Sequence, residues 1–490
     1  MTSHRYRSAA FAVASVAALG ALAPACDGSY QQFLSAVPQP AGDTSTPVQV
    51  LLGIDGMSRQ AFDLARTRGA FAGWNVADLV TPFPGTSDYS WTRTLRAEPI
   101  GGYEIEYYDP AANQVVGAGL EGVAEHPLHE GIAGTYPCYQ RFDFLGDGTT
   151  WQARGYLDPL GSVGDTLDGL FDTVAGRART QRTVLAYMMT VDVVSHMGGL
   201  DEAAWTLVEI DRRIRAFEAA QEQKYTFTIF ADHGNAHLPS QLVEPRDVLR
   251  DVGVAPVDVL SPDAPLEAVP IVHVRVNYVA LHTHPGRVAE VAARSSTSAS
   301  VDLAVAPLPA AAVTADVSGD GDGDTVRATA ARVGADARWY GVWRKGQRYL
   351  FARDDDGAIT VVEPARWDWL GAELSPFTSQ DGRVATLTDQ QAFAATLGSG
   401  YPDIFYRTAT AFSDPAARHP ADVLLSMPDD VASIGFEVPL AADIRANDGF
   451  HGSLSRAATM SVLASQTGSL PTSLRSDDLA DMFPALAGHP

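Results

Sequence analysis

The chain has 490 residues and a formal net charge of −24, with 46% apolar and 19% charged residues. These values are typical of a globular protein with a large core. The excess of acidic residues argues against non-specific nucleic-acid binding, which depends on lysine and arginine. With two cysteines, a thiolate zinc site is excluded, so any metal would be bound by histidine and carboxylate side chains.

The N-terminus, residues 1–26, is predicted to be an export signal. Arg5 and Arg7 precede an apolar run at 9–23 that is short for a membrane span. The run ends near Cys26, which fits either a cleavage site or a lipoprotein signal. A lipidated Cys26 would hold the protein at a membrane surface, whereas an unmodified one could pair with Cys138 in an oxidising compartment. We therefore expect a periplasmic, cell-surface or secreted protein, with residues 27–46 as a linker.

Predicted strands and helices alternate in the next part of the chain. Apolar runs typical of buried parallel strands lie at Val48–Ile54, Thr183–Met189 and Tyr225–Phe230. Apolar residues at helical spacing predict helices over Ser58–Arg68 and Glu202–Gln221. This alternation predicts an α/β fold with a doubly wound, mostly parallel sheet, whose first part is residues 47–245.

A series of shorter strands follows and is expected to form an inserted α+β cap, residues 246–385. Its strands are predicted at Ile271–Val276, Val301–Ala306, Trp339–Arg344, Gln347–Ala352 and Ile359–Val362. The core is expected to resume in residues 386–490. The segments assigned to this second part are Asp403–Tyr406, Val423–Met427 and a closing helix near Asp477–Leu486.

Short motifs along the chain carry seven side chains of types that can bind a metal ion or attack phosphorus. They are Asp55, Thr86, Asp192, His196, Asp232, His233 and His451. Several follow predicted strands, and ligands of α/β sheets collect at the carboxyl ends of strands. Asp192 and His196 are four residues apart, which on a helix places both on one face, about 5–6 Å apart. Two metal ions and one hydroxyl nucleophile are sufficient to cleave phosphate esters.

The order of these motifs resembles the alkaline phosphatase superfamily, most closely its nucleotide pyrophosphatase/phosphodiesterase and phosphonoacetate hydrolase branch. The resemblance covers about residues 47–240 and 400–488 and rests on Asp55-Gly56, Asp192 to His196, Asp232-His233-Gly234 and Gly449-x-His451-Gly452. It implies an alkaline phosphatase-like fold with two Zn²⁺ ions, for which Mn²⁺ is a chemically acceptable substitute. The implied ligands are Asp55, Thr86, Asp232 and His233 for one ion and Asp192, His196 and His451 for the other.

The resemblance also implies that Thr86 is the nucleophile, although its surroundings depart from the branch. The branch has an Asn here that helps to hold a phosphate oxygen, and Gly85-Thr86-Ser87-Asp88 has none. This segment resembles the Gly-x-Thr-Ser-Asp turn of lipoteichoic-acid-synthase-like phosphoglycerol transferases, where the Thr is also the nucleophile. Ser87 is the second candidate. Arg93 or Tyr89 could donate to the phosphate, but no substrate-binding residue is assigned.

The sequence therefore predicts an exported or lipid-anchored two-metal phosphoesterase that hydrolyses a phosphodiester or phosphonate through a phospho-threonine. Three alternatives stay open: a phosphomonoesterase of the alkaline phosphatase type, a phosphoglycerol- or phosphoethanolamine-type transferase, and a non-enzymatic surface binding protein that retains the fold. The expected partner is a small-molecule phosphate ester or phosphonate. The sequence does not decide the oligomeric state.

Overall fold

A computed structural model describes residues 46–104, 106–117, 137–145, 159–272, 275–315, 337–413, 415–435 and 449–487, with a few positions between 316 and 336. The predicted signal at 1–26 and nearly all of the predicted linker at 27–46 lie outside these residues, so both stay predictions. Among the described helices, none combines the length and the apolar character needed to cross a membrane.

Two large sheets contain most of the described strands. In chain order the strands are β1 (Val48–Ile54), β2 (Asn75–Val80), β3 (Tyr107–Asp109), β4 (Gln114–Val116), β5 (Phe144–Leu145), β6 (Thr183–Met188), β7 (Tyr225–Phe230), β8 (Gln241–Val243), β9 (Ala255–Pro256), β10 (Glu267–Ile271), β11 (Tyr278–His282), β12 (Leu303–Leu308), β13 (Arg338–Arg344), β14 (Gln347–Arg353), β15 (Ile359–Val362), β16 (Val384–Leu387), β17 (Val423–Ser426), β18 (Val431–Ser433), β19 (Met460–Ser465) and β20 (Ser473–Arg475).

The α-helices of the described residues lie between these strands. They are α1 (Arg59–Thr67), α2 (Ser87–Thr94), α3 (Pro159–Arg177), α4 (Thr190–Ala220), α5 (Pro245–Asp251), α6 (Val288–Ser295), α7 (Ala310–Ala315), α8 (Gly371–Leu374), α9 (Asp389–Thr396), α10 (Ile404–Ser413), α11 (Arg456–Thr459) and α12 (Leu479–Met482). The predicted helices at 58–68 and 202–221 correspond to α1 and to the second half of α4, which is interrupted at Gly199.

The first sheet is the predicted mostly parallel α/β core. Its strand order is β20-β2-β19-β7-β1-β6-β5. β1 is parallel to both β6 and β7, while β19 is antiparallel to both of its neighbours. Residues of α1, α3 and α4 pack on one face of this sheet, and α2 packs on the other. Helices therefore cover both faces, which explains why β1 is apolar at every position except Gln49 instead of alternating.

The second sheet has nine strands in the order β16-β15-β14-β13-β12-β17-β11-β10-β9 and is antiparallel except for the β9–β10 pair. β17 lies in its middle, paired with β11 and β12. This segment, Val423–Met427, was predicted to belong to the second part of the core; in the structure its strand lies in the second sheet, and the division into core and cap stays a prediction. Its apolar pattern predicts a buried strand but does not identify the partners of that strand.

Two other predicted segments differ from the structure. Of the strand predicted at Ile271–Val276, Ile271 is the last residue of β10, Val276 forms only an isolated bridge to Ser433, and residues 273 and 274 lie outside the described residues. Asp403–Tyr406, predicted as a core segment, leads into helix α10. In both cases a short apolar run is compatible with strand, helix or connection, and its tertiary contacts decide which one forms.

One continuous apolar cluster joins the two sheets. It contains Leu51 and Tyr187 of the first sheet, Trp91 of α2, and Val269 and Trp339 of the second sheet. The second sheet therefore packs directly on the core that carries the motifs. Whether residues 246–385 form a separate inserted cap stays a prediction.

Candidate active site

Five separate segments of the chain meet at the carboxyl edge of the first sheet. Asp55 directly follows β1, and Asp232 comes two residues after β7, the parallel neighbour of β1. Asp192 lies in the first turn of α4, which begins after β6. The backbone amide of Gly56 donates to Asp232 Oδ1 at 3.2 Å, so the ends of β1 and β7 are joined directly. The topology thus brings the predicted ligands together as expected.

The predicted metal-binding side chains form two overlapping groups. One contains Asp55, Asp232 and His233, the other contains Asp192, His233 and His451, and in each group the ligand atoms lie within 4.8 Å of one another. All of these residues are buried. His196 joins the second group through Asp192, because its Nε2 lies 3.1 Å from Asp192 Oδ2. His233 therefore lies between the two groups, whereas the sequence analysis placed it in one ligand set.

The three histidines are oriented by hydrogen bonds to backbone carbonyls. His196 Nδ1 donates to Gly449 O at 2.6 Å, His233 Nδ1 to Gly234 O at 2.8 Å, and His451 Nδ1 to Gly85 O at 2.7 Å. Because a carbonyl only accepts, each bond fixes a proton on Nδ1 and leaves Nε2 as the ring atom available to a metal ion. This is the arrangement by which proteins orient metal-binding histidines.

The charges in the cluster favour a cation. Burial opposes a proton on His233, but Asp232 and Asp55 raise its pKa to about 10. Burial, together with the charge of Asp55, raises the pKa of Asp232 well above its usual range. Burial and the neighbouring His233 lower the pKa of His451 to about 3, so this imidazole is neutral at neutral pH. A divalent ion would relieve the repulsion between the carboxylates and use neutral imidazoles as ligands.

Two carboxylate oxygens at the centre support this fit. Asp192 Oδ1 and Asp232 Oδ2 are buried and accept no hydrogen bond from the described residues. A buried carboxylate oxygen without a partner is costly unless a hydrogen bond or a metal satisfies it. The donor set of three carboxylates and three imidazoles suits Zn²⁺ or Mn²⁺. The residues present therefore fit a pair of divalent ions, and the identity of the metal is open.

The two hydroxyls at the start of helix α2 differ in their contacts. Thr86, the predicted nucleophile, is the N-cap residue of α2, and its Oγ1 donates to Tyr103 O at 2.7 Å. Ser87 Oγ lies 3.2 Å from Asp55 Oδ1 and 3.3 Å from His233 Nε2. Ser87 therefore presents its hydroxyl to the cluster in this structure, while the Thr86 hydroxyl would reach it only by rotating away from Tyr103.

Arg93 and Tyr89 are not placed as phosphate donors. Arg93 is 7% exposed, and its guanidinium forms an ion pair with Asp477 and donates to Thr410 Oγ1 at 3.0 Å. Tyr89 is fully buried against Tyr103. Both residues connect α2 to the protein interior, which the sequence spacing alone did not reveal.

Further residues that contact the cluster were not predicted from the sequence. Tyr187 of β6 donates its hydroxyl to Asp55 Oδ2. Residues at the start of β11 in the second sheet also contact the His451 motif. The backbone amide of Asn277 donates to His451 O at 2.8 Å, and the Tyr278 ring packs near Gly452. Tyr187 lies opposite Gly53 of β1, a register that the sequence alone does not give. No sequence signal predicts the contacts from the second sheet.

The mostly parallel core sheet presents carboxylate and histidine side chains of the metal-binding type at one edge, the arrangement expected of a hydrolase of the alkaline phosphatase superfamily. The "Type I phosphodiesterase / nucleotide pyrophosphatase" profile matches residues 69–325, more than half of the 490-residue chain, and the chain belongs to this family. It is therefore a hydrolase acting on phosphate esters, as the sequence analysis predicted. Metal dependence is typical of this family.

Comparisons with individual proteins give more distant likenesses. No curated protein sequence matches the chain. Human ectonucleotide pyrophosphatase/phosphodiesterase 5 matches with 10% identity and a TM-score of 0.43, over 90% of this chain and 95% of that one. An inactive variant of the murine protein, in complex with AMP, matches with 10% identity and a TM-score of 0.42, over 91% and 96% of the two chains.

Proposed function

We propose that the protein is a two-metal phosphodiesterase whose ions are held by the side chains of the cluster. Asp55, Asp232 and His233 would hold one ion, with Thr86 as a further ligand. The second ion would be held by Asp192, His196 and His451. The observation that carries the proposal is the convergence of six buried ligand-type side chains around two carboxylate oxygens that accept no hydrogen bond from the described residues.

The substrate is proposed to be a small phosphodiester or phosphonate bound at the N-terminus of α2. The first amide groups of a helix have no partners within the helix, and its dipole favours an anion there. When bound, the two ions would neutralise the phosphate and lower the pKa of a hydroxyl or water. The side chains of the cluster would hold the two ions in place, so that the bound phosphate lies next to the attacking hydroxyl of residue 86 or 87.

The reaction is proposed to proceed in two displacements. The Thr86 hydroxyl oxygen forms a bond to phosphorus as the bond to the leaving alcohol breaks, and the hydroxyl proton ends on that alcohol. Water then cleaves the phospho-threonine, which releases the monoester and restores the hydroxyl. Ser87 is the second candidate for this role, because its Oγ already lies 3.2 Å from Asp55 Oδ1.

The experiment compares bis(p-nitrophenyl) phosphate with p-nitrophenyl phosphate, using Zn²⁺-loaded protein and the variants Thr86→Ala and Ser87→Ala. Thr92→Ala is the matched control, because its buried hydroxyl bonds within α2 at the carbonyl of Asp88. We expect preference for the diester and a loss of at least about 100-fold in kcat for one variant only. That variant identifies the nucleophile.

Other outcomes would change the assignment. Preference for the monoester would favour a phosphatase. Bound metal without hydrolysis of either ester would favour a phosphonate substrate or a phosphoglycerol- or phosphoethanolamine-type transfer. Absence of metal binding would leave a surface binding protein as the better account.

We further propose that the protein is exported through its N-terminal segment and that a lipidated Cys26 can hold it at a membrane. The order of basic residues, apolar run and cysteine supports this. Cys138, the alternative partner of Cys26, is fully buried, and burial raises the pKa of its thiol. Mass spectrometry of the mature N-terminus tests the proposal: a diacylglycerol on Cys26 supports an anchor, and an unmodified Cys26 contradicts it.

A further inference from the structure

Arg407 of helix α10 is a fully buried arginine near the candidate site. It is 2% exposed, and burial lowers its pKa to about 9, although Asp403 opposes the shift. The guanidinium is therefore still charged at neutral pH. Burying a charge costs several kcal/mol unless hydrogen bonds compensate it, so its contacts need an explanation.

Those contacts are backbone carbonyls from three segments. Nη1 donates to Pro402 O at 3.3 Å and to Leu454 O at 3.1 Å. Nη2 donates to Pro82 O at 3.2 Å and to Ser453 O at 3.3 Å. A guanidinium is a rigid, planar group with five donors, which lets one side chain join several carbonyls at fixed angles.

Two of the joined segments carry the chemistry. Pro82 belongs to the nucleophile segment, defined as residues 82–87. Ser453 and Leu454 belong to the His451 segment, defined as residues 451–454. The same two segments touch again at the site, where His451 Nδ1 donates to Gly85 O at 2.7 Å and the Gly85 amide donates to Gly452 O at 3.4 Å. Arg407 thus joins the two segments at Pro82 and at Ser453 and Leu454. One segment carries the proposed nucleophile, and the other carries the proposed ligand His451.

We infer that Arg407 is a positioning residue of the active site, which ties the nucleophile segment to the His451 segment so that the attacking hydroxyl and the His451 imidazole keep their relative placement. The inference rests on the proposed function and adds a residue that touches neither substrate nor metal. A displacement of about 1 Å in such a site can cost about 100-fold in rate. Loss of the guanidinium should therefore affect turnover and the second metal site more than substrate binding.

The test compares the full-length wild-type protein with Arg407→Met and Arg407→Lys. Methionine keeps much of the volume without the donors, and lysine keeps the charge with one donor group instead of a fork. Arg141→Met is the matched control, because Arg141 also bonds backbone carbonyls, those of Ala487 and Arg96, and joins neither of the two segments. The measurements are kcat and KM on bis(p-nitrophenyl) phosphate and Zn²⁺ titration of the metal-free protein.

For Arg407→Met we expect kcat to fall about 10- to 100-fold with KM within about threefold. The Zn²⁺ proposed at Asp192, His196 and His451 should bind about 10-fold less tightly. The other Zn²⁺ should be bound as in the wild type. Arg407→Lys should recover part of kcat, and Arg141→Met should match the wild type in both measurements. If Arg407→Met does not fold, a folded Arg407→Lys must still show a fall in kcat of at least about fivefold with KM unchanged.

Two results would overturn the inference while leaving the proposed function intact. One is wild-type kcat in a folded Arg407 variant. The other is an equal weakening of both Zn²⁺ sites with KM rising as kcat falls, which would indicate general loosening of the fold. A wild-type protein that neither binds Zn²⁺ nor hydrolyses the diester would refute the proposed function itself, and the inference with it.

Discussion

Removal of the Tyr187 hydroxyl should weaken one metal site while leaving the core packed. The hydroxyl of this buried side chain donates to Asp55 Oδ2. Its ring packs 5.5 Å from that of Trp91 and 5.3 Å from that of Phe142, contacts that phenylalanine would keep. Tyr187→Phe therefore deletes one hydrogen bond to a proposed metal ligand.

The size of the effect follows from that bond. A hydrogen bond to a charged group contributes about 1.5–3 kcal/mol, and each 1.4 kcal/mol corresponds to about a tenfold change in affinity. We expect Tyr187→Phe to lower the affinity for the ion at Asp55 about 10- to 100-fold, the range found for partners of metal ligands. Zn²⁺ titration by calorimetry should show one weakened site and one unchanged site.

Tyr139→Phe is the matched control for this prediction. Tyr139 is buried beside Tyr187, with ring centroids 5.6 Å apart, but its hydroxyl donates to Asp88 Oδ1 at 3.0 Å. Both Zn²⁺ affinities should stay within about twofold of the wild type in this control. Equal Zn²⁺ binding by Tyr187→Phe and the wild type, or equal weakening in both variants, would refute the reasoning.

Three further predictions concern the site and its surroundings. Gly56→Ala should lower the Zn²⁺ affinity of the Asp192 metal site about 10-fold or more. Gly56 has φ +64°, and a Cβ at this position would lie 2.6 Å from Asp192 Oδ1. An unchanged Zn²⁺ titration would contradict this prediction. Removal of metal by a chelator should lower the melting temperature, because a ligand at about 100 times its Kd adds about 2.7 kcal/mol to the free energy of unfolding. Failure of added Zn²⁺ to restore the melting temperature would count against a folded metal site. Burial lowers the pKa of His282 from 6.5 to about 4. The neutral imidazole therefore contributes to the free energy of unfolding above pH 6.5, and this contribution, at most about 3 kcal/mol, is lost as the pH falls towards 4. His282→Gln should flatten the melting temperature across that window, and an unchanged pH profile would contradict the shift.

The sequence predicted the core because its patterns depend on local physics. Tyr225–Phe230 has the predicted bounds, because an apolar run that ends at an acidic residue is typical of a buried parallel strand. The spacing of Asp192 and His196 is helical, and both residues lie in the first turns of α4. These features need only neighbouring residues to be recognised.

What the sequence could not predict depends on distant partners. β19, antiparallel between β2 and β7, breaks the parallel order, and nothing in Met460–Ser465 indicates its neighbours. The location of Val423–Ser426 in the second sheet has the same cause. Arg407 is the one charged residue of α10, and its role becomes visible only when Pro82 and Leu454 are placed beside it.

The site itself was predicted as a set of residues but not as a geometry. All six proposed metal-binding Asp and His side chains lie in one cluster, which His196 joins through Asp192, but the position of His233 between the two groups was not foreseen. The choice between Thr86 and Ser87 depends on a side-chain rotamer and on the contact with Tyr103. Neither feature is encoded in motif spacing.

A crystal structure of the Zn²⁺-loaded protein, with anomalous data collected at the zinc edge, tests the central claim most directly. We predict two anomalous peaks about 3.5–4 Å apart, as in other two-metal sites. One peak should lie among Asp55, Asp232 and His233, and the other among Asp192, His196 and His451. A single peak shared by His233 and the carboxylates, or no peak in the cluster, would contradict a two-metal phosphodiesterase.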